Sequence, residues 1–265
     1  MQLSGNALRS ELYDIYLSIT FELRKHLRRR RLLIIAALAI LVPLIFYATT
    51  PDTADQLAAV SLRFLSILMI ISAAMFAGDA ISGEFESKTG LLLFPTPQSR
   101  TSIFVGKYIA ALIITFLVVS LYYVIMILQT IHLFGVSEIP AELAKSYLTA
   151  SIYVTSVVSV VFFFSSILKH SIASTILGFV LLMLILPVVS GVLTILEIEP
   201  WFIVTYSGEL ITSVLGEGSL FPGPGGHLNL EAYSPDFGPG IAVMAGYTII
   251  GLLAGIMIAN RKSME

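Results

Sequence analysis

The chain has 265 residues, of which 57% are hydrophobic and 12% are charged, and its mean hydropathy is +0.92. Soluble domains carry about 45–50% apolar and about 25% charged residues, so this composition excludes a soluble enzyme, a soluble nucleic-acid-binding protein and a disordered chain. The net charge is −2 and cysteine is absent, which excludes disulfides, thiolate metal sites and a cysteine nucleophile. The expected fold class is an all-α polytopic membrane protein.

The first 31 residues are predicted as a cytoplasmic amphipathic helix that lies in the membrane interface. Apolar residues recur at every third or fourth position, namely Leu8, Leu12, Ile15, Ile19, Leu23 and Leu27. The basic run Arg28–Arg31 is then expected at the lipid headgroups. Such a run could also bind nucleic acid, but beside a membrane span it is the ordinary signal of topology. No nucleic-acid partner is therefore expected.

Six stretches reach the length of about 20 apolar residues that a spanning helix needs. They cover residues 32–49, 58–77, 108–128, 147–168, 171–196 and 241–259. Each is about twice as long as a membrane β-strand and lacks alternating polarity, so each is predicted as a helix. Pro187 predicts a kink or break in the fifth span. Residues 1–265 are interpreted as one transmembrane domain.

Lysine and arginine residues predict the orientation. Six spans place both termini on one side, and that side carries every basic residue except Arg63 and Lys145. Because cytoplasmic segments are enriched in Lys and Arg, both termini are predicted to be cytoplasmic in a multi-pass protein of the cell membrane. Arg63 lies inside the second span, where its long side chain is expected to reach the nearer interface.

The longest cytoplasmic loop covers residues 78–107, between the second and third spans. Residues 81–94 are predicted as a short amphipathic helix that Pro95 and Pro97 end. Its charged residues are expected to face water and its leucines to face apolar surface; the charged set is Glu84, Glu86 and Lys88. A solvated linker is the alternative, and composition alone favours it.

The segment 197–240, between the fifth and sixth spans, is predicted on the outer side. Residues 201–215 are expected to form a helix that is too short and too polar to span, and one face of it carries Phe202, Tyr206, Leu210 and Val214. Residues 219–240 are rich in Gly and Pro and are predicted as an irregular loop. The loop carries His227, Glu231 and Asp236, but their spacing matches no metal-ligand motif, so no metal site is predicted.

Polar residues inside the spans are few and mild. Ser151, Thr155 and Ser159 form a stripe in the fourth span, which either lines a transport pathway or packs against a neighbouring helix; packing is the commoner use of such residues. In the sixth span, Gly251 and Gly255 predict close helix packing. The sequence has no phosphate-binding G-x-x-x-x-G-K-[ST] motif and no catalytic signature. No enzyme activity and no catalytic residue are expected, and energy from ATP would come from another subunit.

Residues 81–107 read ISGEFESKTGLLLFPTPQSRTSIFVGK, and this loop resembles the loop between spans two and three of type-two ABC transporter membrane subunits, the ABC exporter permeases. The family pattern is roughly Ser-Gly-Glu-x-Glu-x-Gly-Thr, a leucine cluster, Thr-Pro, Ser-Arg and Gly-Lys. The matching residues are Ser82, Gly83, Glu84, Glu86, Thr89, Leu92, Leu93, Thr96, Pro97, Ser99, Arg100, Gly106 and Lys107. Lys88 stands where the family usually has glycine, Gly90 where it often has leucine, and Pro95 precedes the usual Thr-Pro.

The resemblance implies a permease subunit that forms the translocation pathway of an ATP-driven exporter. Two such subunits, identical or different, would pair with two ABC ATPase subunits that hold ATP and Mg, so no cofactor is expected in this chain. A coupling helix is implied at residues 84–93. The implied coupling residues are Gly83, Glu84, Glu86, Lys88, Thr89, Leu92, Leu93, Pro97 and Arg100. The bilayer surrounds the six spans.

Two other classes of function stay open at this point. An ATPase-independent secondary carrier or channel usually places ionisable groups at mid-membrane, and the six predicted spans carry no acid–base pair there. A membrane scaffold or an intramembrane enzyme is the other class, and the enzyme would need a catalytic pair that the sequence does not show. The transported substrate is not encoded in any motif of the chain.

Overall fold

The structure is a computed structural model that describes residues 2–48, 53–88, 98–214 and 233–262, with side chains described from residue 11 onward. Within these ranges all regular secondary structure is helical. Six of the helices are long and apolar enough to cross a membrane. The chain is therefore an all-α polytopic membrane protein, which confirms the fold class that its composition predicts.

We number the helices of the described ranges in chain order. They are α1 (Gln2–Leu27), α2 (Arg30–Ala48), α3 (Ala54–Ala77), α4 (Ser82–Glu86), α5 (Arg100–Phe134), α6 (Leu143–Ile167), α7 (Ser171–Ile195), α8 (Val204–Ser207), α9 (Leu210–Ser213) and α10 (Phe237–Arg261). The six long apolar helices are α2, α3, α5, α6, α7 and α10. Each of the six predicted spans is confirmed as one of these helices.

Helix α5 is much longer than the predicted third span. It has 35 residues, which at 1.5 Å per residue amount to about 52 Å, whereas the hydrocarbon core of a bilayer is about 30 Å thick. Its start is capped by Ser99, whose hydroxyl accepts a hydrogen bond from the Ser102 N–H at 3.0 Å. The helix is therefore long enough for its first turns to project beyond the apolar layer.

The core of the bundle lies where α3, α5 and α6 meet. Fully buried side chains from these helices include Leu65 and Met69 of α3, Tyr122 of α5 and Tyr153 of α6. The Tyr122 hydroxyl donates to the Ser61 carbonyl at 2.6 Å, so its polar atom is satisfied inside the core. The outer helices α2 and α7 leave most of their apolar side chains exposed, as expected where lipid covers the surface.

Helices α6 and α10 pack closely through the two glycines of the G-x-x-x-G pattern. A Cβ atom added at Gly251 would lie 2.9 Å from the Ser159 carbonyl oxygen, and one added at Gly255 would lie 3.1 Å from the Phe162 ring. Only glycine lets the two backbones approach this far. The predicted close packing is confirmed, and it occurs within one chain.

Helix α7 is irregular but continuous near Pro187. Its residues Leu181–Ile185 form a π-helical turn, after which α-helix resumes at Leu186. The Leu186 N–H donates to the Leu181 carbonyl, five residues back, instead of four. Proline lacks an N–H and crowds the preceding turn, so the regular hydrogen-bond ladder is interrupted there. The expected disturbance is present as a wide turn, and the helix is not broken.

Different short helices lie at the two ends of the bundle. We call the end that holds α1, α4 and the end of α10 the proximal end, and the end that holds α8 and α9 the distal end. At the proximal end, Arg29 and Arg31 each bind the Asp79 carboxylate, at 2.9 and 2.8 Å. The basic run that was predicted at the headgroups therefore also connects the start of α2 to the residues just after α3.

The distal segment differs from the single helix predicted over residues 201–215. It forms the two one-turn helices α8 and α9, separated at Gly208, where a Cβ atom would lie 2.8 Å from the Tyr153 ring. Of the four residues predicted to share one face, Tyr206 and Leu210 are buried, whereas Phe202 is 45% exposed and Val214 is only half-buried. The first helix of this segment begins only at Val204, so Phe202 lies before it and does not share its buried face. Leu215 and residues 219–232 lie outside the described residues.

Candidate functional site

Helix α4 lies among several membrane helices at the proximal end, so it is not the water-exposed amphipathic helix that the sequence predicts. Ser82 is fully buried and Glu84 is 7% exposed. The helix ends at Glu86 because Lys88 adopts a left-handed conformation, with φ of 55°. The predicted helix over residues 81–94, and the implied one over 84–93, are therefore interrupted at Lys88. Thr89, Leu92, Leu93 and Pro97 lie outside the described residues.

The first turn of α4 is held by serine hydroxyls from α6 and α7. The Ser165 hydroxyl of α6 accepts hydrogen bonds from the backbone N–H groups of Ile81 and Ser82, at 3.0 and 3.1 Å. The Ser82 hydroxyl contacts the Ser174 hydroxyl of α7 at 2.8 Å, and Ser174 donates to the Gly78 carbonyl at 2.5 Å. The N–H groups at a helix start have no partner inside the helix, so Ser165 supplies an N-terminal cap from another helix.

Replacing Ser165 by alanine is expected to loosen α4, because two buried N–H groups lose their acceptor. The cost of such unsatisfied groups is about 1–3 kcal/mol. Hydrogen exchange of the amides of Ile81 and Ser82 measures the effect as faster exchange. Ser166→Ala is the matched control, because Ser166 is also fully buried but, among the described residues, its hydroxyl bonds only the Phe163 carbonyl of its own helix. Equal exchange rates in both variants would contradict the capping role.

Four charged side chains from three helices form a compact group at α4, which we call the buried ion cluster: Glu22 and Lys25 of α1, Glu84 of α4 and Lys107 of α5. The Lys107 ammonium binds Glu84 Oε1 at 2.7 Å and also binds Glu22 Oε1. Lys25 lies 3.1 Å from Glu22 Oε2 and 3.6 Å from Glu84 Oε1. The side chain of Lys107 is 2% exposed, and those of Glu22 and Glu84 are 5% and 9% exposed.

The buried ion cluster is electrically balanced, with two carboxylates and two ammonium groups. Burial alone would raise the pKa of Glu22, but the positive charges of Lys107 and Lys25 outweigh it, so the pKa lies below its usual value. Neighbouring His26 has its pKa lowered chiefly by burial, and its ring packs edge-on against Phe76. Glu22 is therefore charged and His26 neutral at pH 7.

Glu86, the second acid of the loop motif, binds the start of α7. Its Oε2 accepts hydrogen bonds from the Ser171 N–H at 2.8 Å and from the Ser171 hydroxyl. His170 Nδ1 lies 3.7 Å from its other oxygen. The Glu86 side chain is 39% exposed, so it faces water in part, as predicted. A carboxylate at this position also complements the positive end of the helix dipole.

Lys262, the residue after α10, closes the other side of α4. Its ammonium group donates to the Ser166 and Leu168 carbonyls at 3.0 and 2.7 Å, and it lies 4.6 Å from the centre of the Phe85 ring. Burial, with a contribution from Lys169, lowers the pKa of Lys262 to about 8. The C-terminal turn of α6 is thus capped by a cation, which is the charge that the negative end of a helix favours.

Gly83 and Arg100 are the remaining described residues of the implied coupling set. A Cβ atom at Gly83 would meet only the Asp79 Cβ, at an ordinary 3.7 Å. Arg100 is exposed at the first position of α5. Within the described part of the chain, the site therefore centres on Glu84 and Glu86 and the groups that bind them.

The proposed pathway residues of α6 lie away from this site, and their hydroxyls bond carbonyls of their own helix. Ser151 donates to the Tyr147 carbonyl, Thr155 to that of Ile152 and Ser159 to that of Thr155, each at 2.7 Å. Thr155 also contacts Thr248 of α10, and Ser159 contacts the Tyr108 hydroxyl. This is the geometry of helix packing, and the role of the three residues in transport stays a prediction.

Sequence reasoning did not identify the role of α1 in the site. The face of α1 that packs against the bundle carries Ser18, Glu22 and His26, all buried and spaced four residues apart, whereas Leu12 and Leu27 of the predicted apolar stripe are more than 60% exposed. A polar stripe at helical spacing was the available signal. Why this polar stripe faces the bundle becomes clear only from the contact of Glu22 with Lys107, which lies 85 positions away along the chain.

Among the residues that the structure describes, no group of three or more His, Asp or Glu side chains is arranged to hold a metal.

Comparison with known proteins places the chain in a family. No curated protein matches the sequence. A family model described as "Protein of unknown function (DUF2705)" matches residues 33–264, which include α3 to α10, the buried Glu84–Lys107 pair and nearly all of α2. The chain belongs to the DUF2705 family.

Proposed function

We propose that this chain is the membrane-spanning permease subunit of an ATP-driven ABC exporter, coupled to separate ATPase subunits through the segment between α3 and α5. The observation that supports this most is the Glu84–Lys107 ion pair, at 2.7 Å. Ser-Gly-Glu and Gly-Lys are the first and last parts of the loop pattern that this sequence shares with type-two ABC permeases. Both parts meet in one buried contact.

The ion pair gives the loop a mechanical role. Glu84 lies in α4 and Lys107 lies in the second turn of α5, so their contact joins the two helices on either side of the loop. An ATPase that binds within residues 87–99 would displace α4 and α5 together. The conformation of Lys88 supports the resemblance to type-two ABC permeases. Its φ of 55° is one that glycine adopts without strain, and glycine is usual at this position in that family.

Contacts around α4 extend the proposed displacement to other helices. Glu22 ties α1 to Lys107, Ser165 ties α6 to the start of α4, and Glu86 ties α7 to its end. Packed elements joined by discrete contacts move as rigid bodies more readily than they deform. Movement of one short segment would therefore be passed to α1, α5, α6 and α7, which is what a permease needs to open or close a pathway.

The distribution of charge supports a cytoplasmic proximal end in the cell membrane. Arg28–Arg31, Arg100, Lys107 and Lys262 all lie at this end, and membrane proteins concentrate Lys and Arg in cytoplasmic segments. That orientation places α4 and both termini on the side where ATP is available. A second membrane subunit, the same chain or a related one, and two ATPase subunits with ATP and Mg would complete the transporter.

Photo-crosslinking at the loop tests the proposal. Benzoylphenylalanine at Ser87 or Gln98, on either side of the loop, is expected to crosslink in cells to a protein that carries a phosphate-binding loop. Val136 is the matched control, since it is 70% exposed at the distal end and should give no such product. If neither loop position captures an ATPase and the purified chain alone transports, the proposal is wrong and an ATPase-independent carrier or channel replaces it.

A further inference from the structure

Helix α1 packs against the bundle with its polar side, and its apolar side faces away. Successive residues of a helix are about 100° apart, so Ser18, Glu22 and His26 share one side, and all three are buried. The opposite half of the circumference is exposed, and we call it the outer face of α1. Its exposed members are Leu12, Tyr13, Tyr16, Leu17, Phe21, Arg24, Leu27 and Arg28. Most of them are aliphatic or aromatic, so α1 turns its apolar half outward.

The outer face of α1 is unusually apolar for a surface covered by water. Leu12, Tyr13 and Tyr16 are each 65% exposed, and Phe21 and Leu27 are each 62% exposed. A contiguous exposed surface of this kind marks a site of interaction with a membrane or a protein. Tyrosine is enriched at membrane–water interfaces, because its ring is apolar and its hydroxyl is polar. The face therefore fits an occupant in which an apolar layer lies beside a polar one.

The connection to α2 places the end of α1 near a bilayer surface. Helix α2 has 19 residues, about 28 Å at 1.5 Å per residue, and the hydrocarbon core of a bilayer is about 30 Å thick. Because α2 is only just long enough to cross, its first residue, Arg30, lies at the edge of the apolar layer. Leu27 ends α1 three residues earlier, so it lies within about 11 Å of that edge.

The charges of this part of the chain select the kind of bilayer. From residue 12 to residue 31, every charged side chain of the exposed class is an arginine, namely Arg24, Arg28, Arg30 and Arg31. The acids of the same stretch are turned away from water, since Glu22 is buried and Asp14 is half-buried. Glu11 is exposed, but it lies about 20 Å along the helix from Arg24. The outer face therefore presents positive charge beside its apolar residues.

We propose that the outer face of α1 binds the surface of an anionic phospholipid bilayer. Its aromatic and aliphatic side chains enter the boundary of the acyl chains, and Arg24 and Arg28 bind lipid phosphates, which match the planar guanidinium group. The residues that bind lipid differ from the stripe expected from the sequence, because Ile15, Ile19 and Leu23 of that stripe are half-buried. The site is independent of the proposed transport function, since it serves a carrier or a channel equally well.

Spin labels test whether the outer face lies in lipid. Leu17→Cys lies on this face, Ser87→Cys is exposed just after α4, and each can be labelled singly because the chain has no cysteine. In liposomes of the purified chain, we expect collisions with a water-soluble nickel chelate to be at least about fivefold rarer at residue 17 than at residue 87. Equal nickel accessibility would overturn the proposal, because the face would then be turned to water.

A lipid comparison tests the preference for negative charge. Photoactivatable phosphatidylglycerol and phosphatidylcholine with the same acyl chains are placed at equal mole fraction in nanodiscs with the full chain, and labelled peptides are mapped by mass spectrometry. We expect phosphatidylglycerol to label residues 11–28 at least about fivefold more than phosphatidylcholine. The double variant Arg24→Gln and Arg28→Gln should label equally with both lipids.

The matched control is the double variant Lys169→Gln and Arg261→Gln, which removes two positive charges exposed elsewhere at the proximal end. It should keep the wild-type preference for phosphatidylglycerol. Equal labelling by the two lipids in wild type would overturn the proposal. A preference that survives the loss of Arg24 and Arg28, or that disappears in the control, would also overturn it, because the preference would then come from the general charge of the protein.

Discussion

Lys107→Met is expected to destabilise the folded protein by about 3–5 kcal/mol, because it leaves Glu22 and Glu84 as two buried carboxylates without their shared cation. Methionine has nearly the same length as lysine, so packing changes little and the loss is electrostatic. Thermal unfolding in detergent micelles measures the effect as a lower midpoint, and hydrogen exchange should show α1 and α4 opening together.

Two control variants separate charge burial from the general loss of a lysine. Lys25→Met removes the other cation of the buried ion cluster, but Lys25 is 30% exposed, and we expect a loss of about 1 kcal/mol or less. The triple variant Glu22→Gln, Glu84→Gln and Lys107→Met removes all three buried charges and should recover most of the stability. A single variant as stable as wild type, or a triple variant less stable than the single one, would contradict this account.

The sign of the pH dependence follows from Glu22. Its pKa is lowered in the folded protein, so its contribution to stability is present above the ordinary carboxyl pKa, about 4.3, and is lost as the pH falls below it. In Lys107→Met that contribution is already missing. Between about pH 5 and pH 3, the free energy of unfolding should therefore fall more for wild type than for Lys107→Met. The difference in stability between the two proteins should shrink over this range.

Gly106→Val is expected to detach α1 from α5, at a cost of about 1–3 kcal/mol. A Cβ atom at Gly106 would lie 3.2 Å from both the Ile15 carbonyl oxygen and the Ile19 nitrogen, and closer still to the Ser18 side chain. Backbone atoms of α1 cannot move aside singly, so the whole helix must shift away, and the contact between Glu22 and Lys107 is lost with it. Hydrogen exchange over residues 14–27 should rise by at least about tenfold.

Gly246→Val is the matched control, since Gly246 lies within spanning helix α10 but a Cβ atom there would meet nothing within 4 Å. Its exchange pattern over α1 should equal that of wild type. If Gly106→Val also leaves α1 protected, the close contact between the two helices does not hold α1 in place.

The six spans could be predicted because the signal is local: a run of about 20 apolar residues has a single use in a chain of this composition. The spacing of Gly251 and Gly255 predicted close packing for the same reason, since a small residue at every fourth position leaves a groove whatever the partner. The partner, α6, could not be read from the sequence. That choice depends on how the spans are arranged around one another.

The position of α4 could not be predicted, because the amphipathic interpretation assumes that charged side chains face water. Glu84 is buried because Lys107 compensates its charge, and these two residues lie 23 positions apart across a loop. Each residue has a place in a sequence motif, but charge compensation depends on the three-dimensional contact. The same holds for Glu22, whose cation comes from another helix.

The proposed function depends most on whether nucleotide bound to a partner moves the membrane helices through the buried ion cluster. Spin labels at Val136→Cys and Ile198→Cys, both exposed at the distal end of this cysteine-free chain, report that movement by pulsed electron paramagnetic resonance in nanodiscs with the captured ATPase. Trapping the ATPase with ADP and vanadate should shift the distance distribution in wild type. The triple variant of Glu22, Glu84 and Lys107 should keep its ATPase but lose the shift. A wild-type distribution that is identical with and without nucleotide, or an equal shift in the triple variant, would contradict the account.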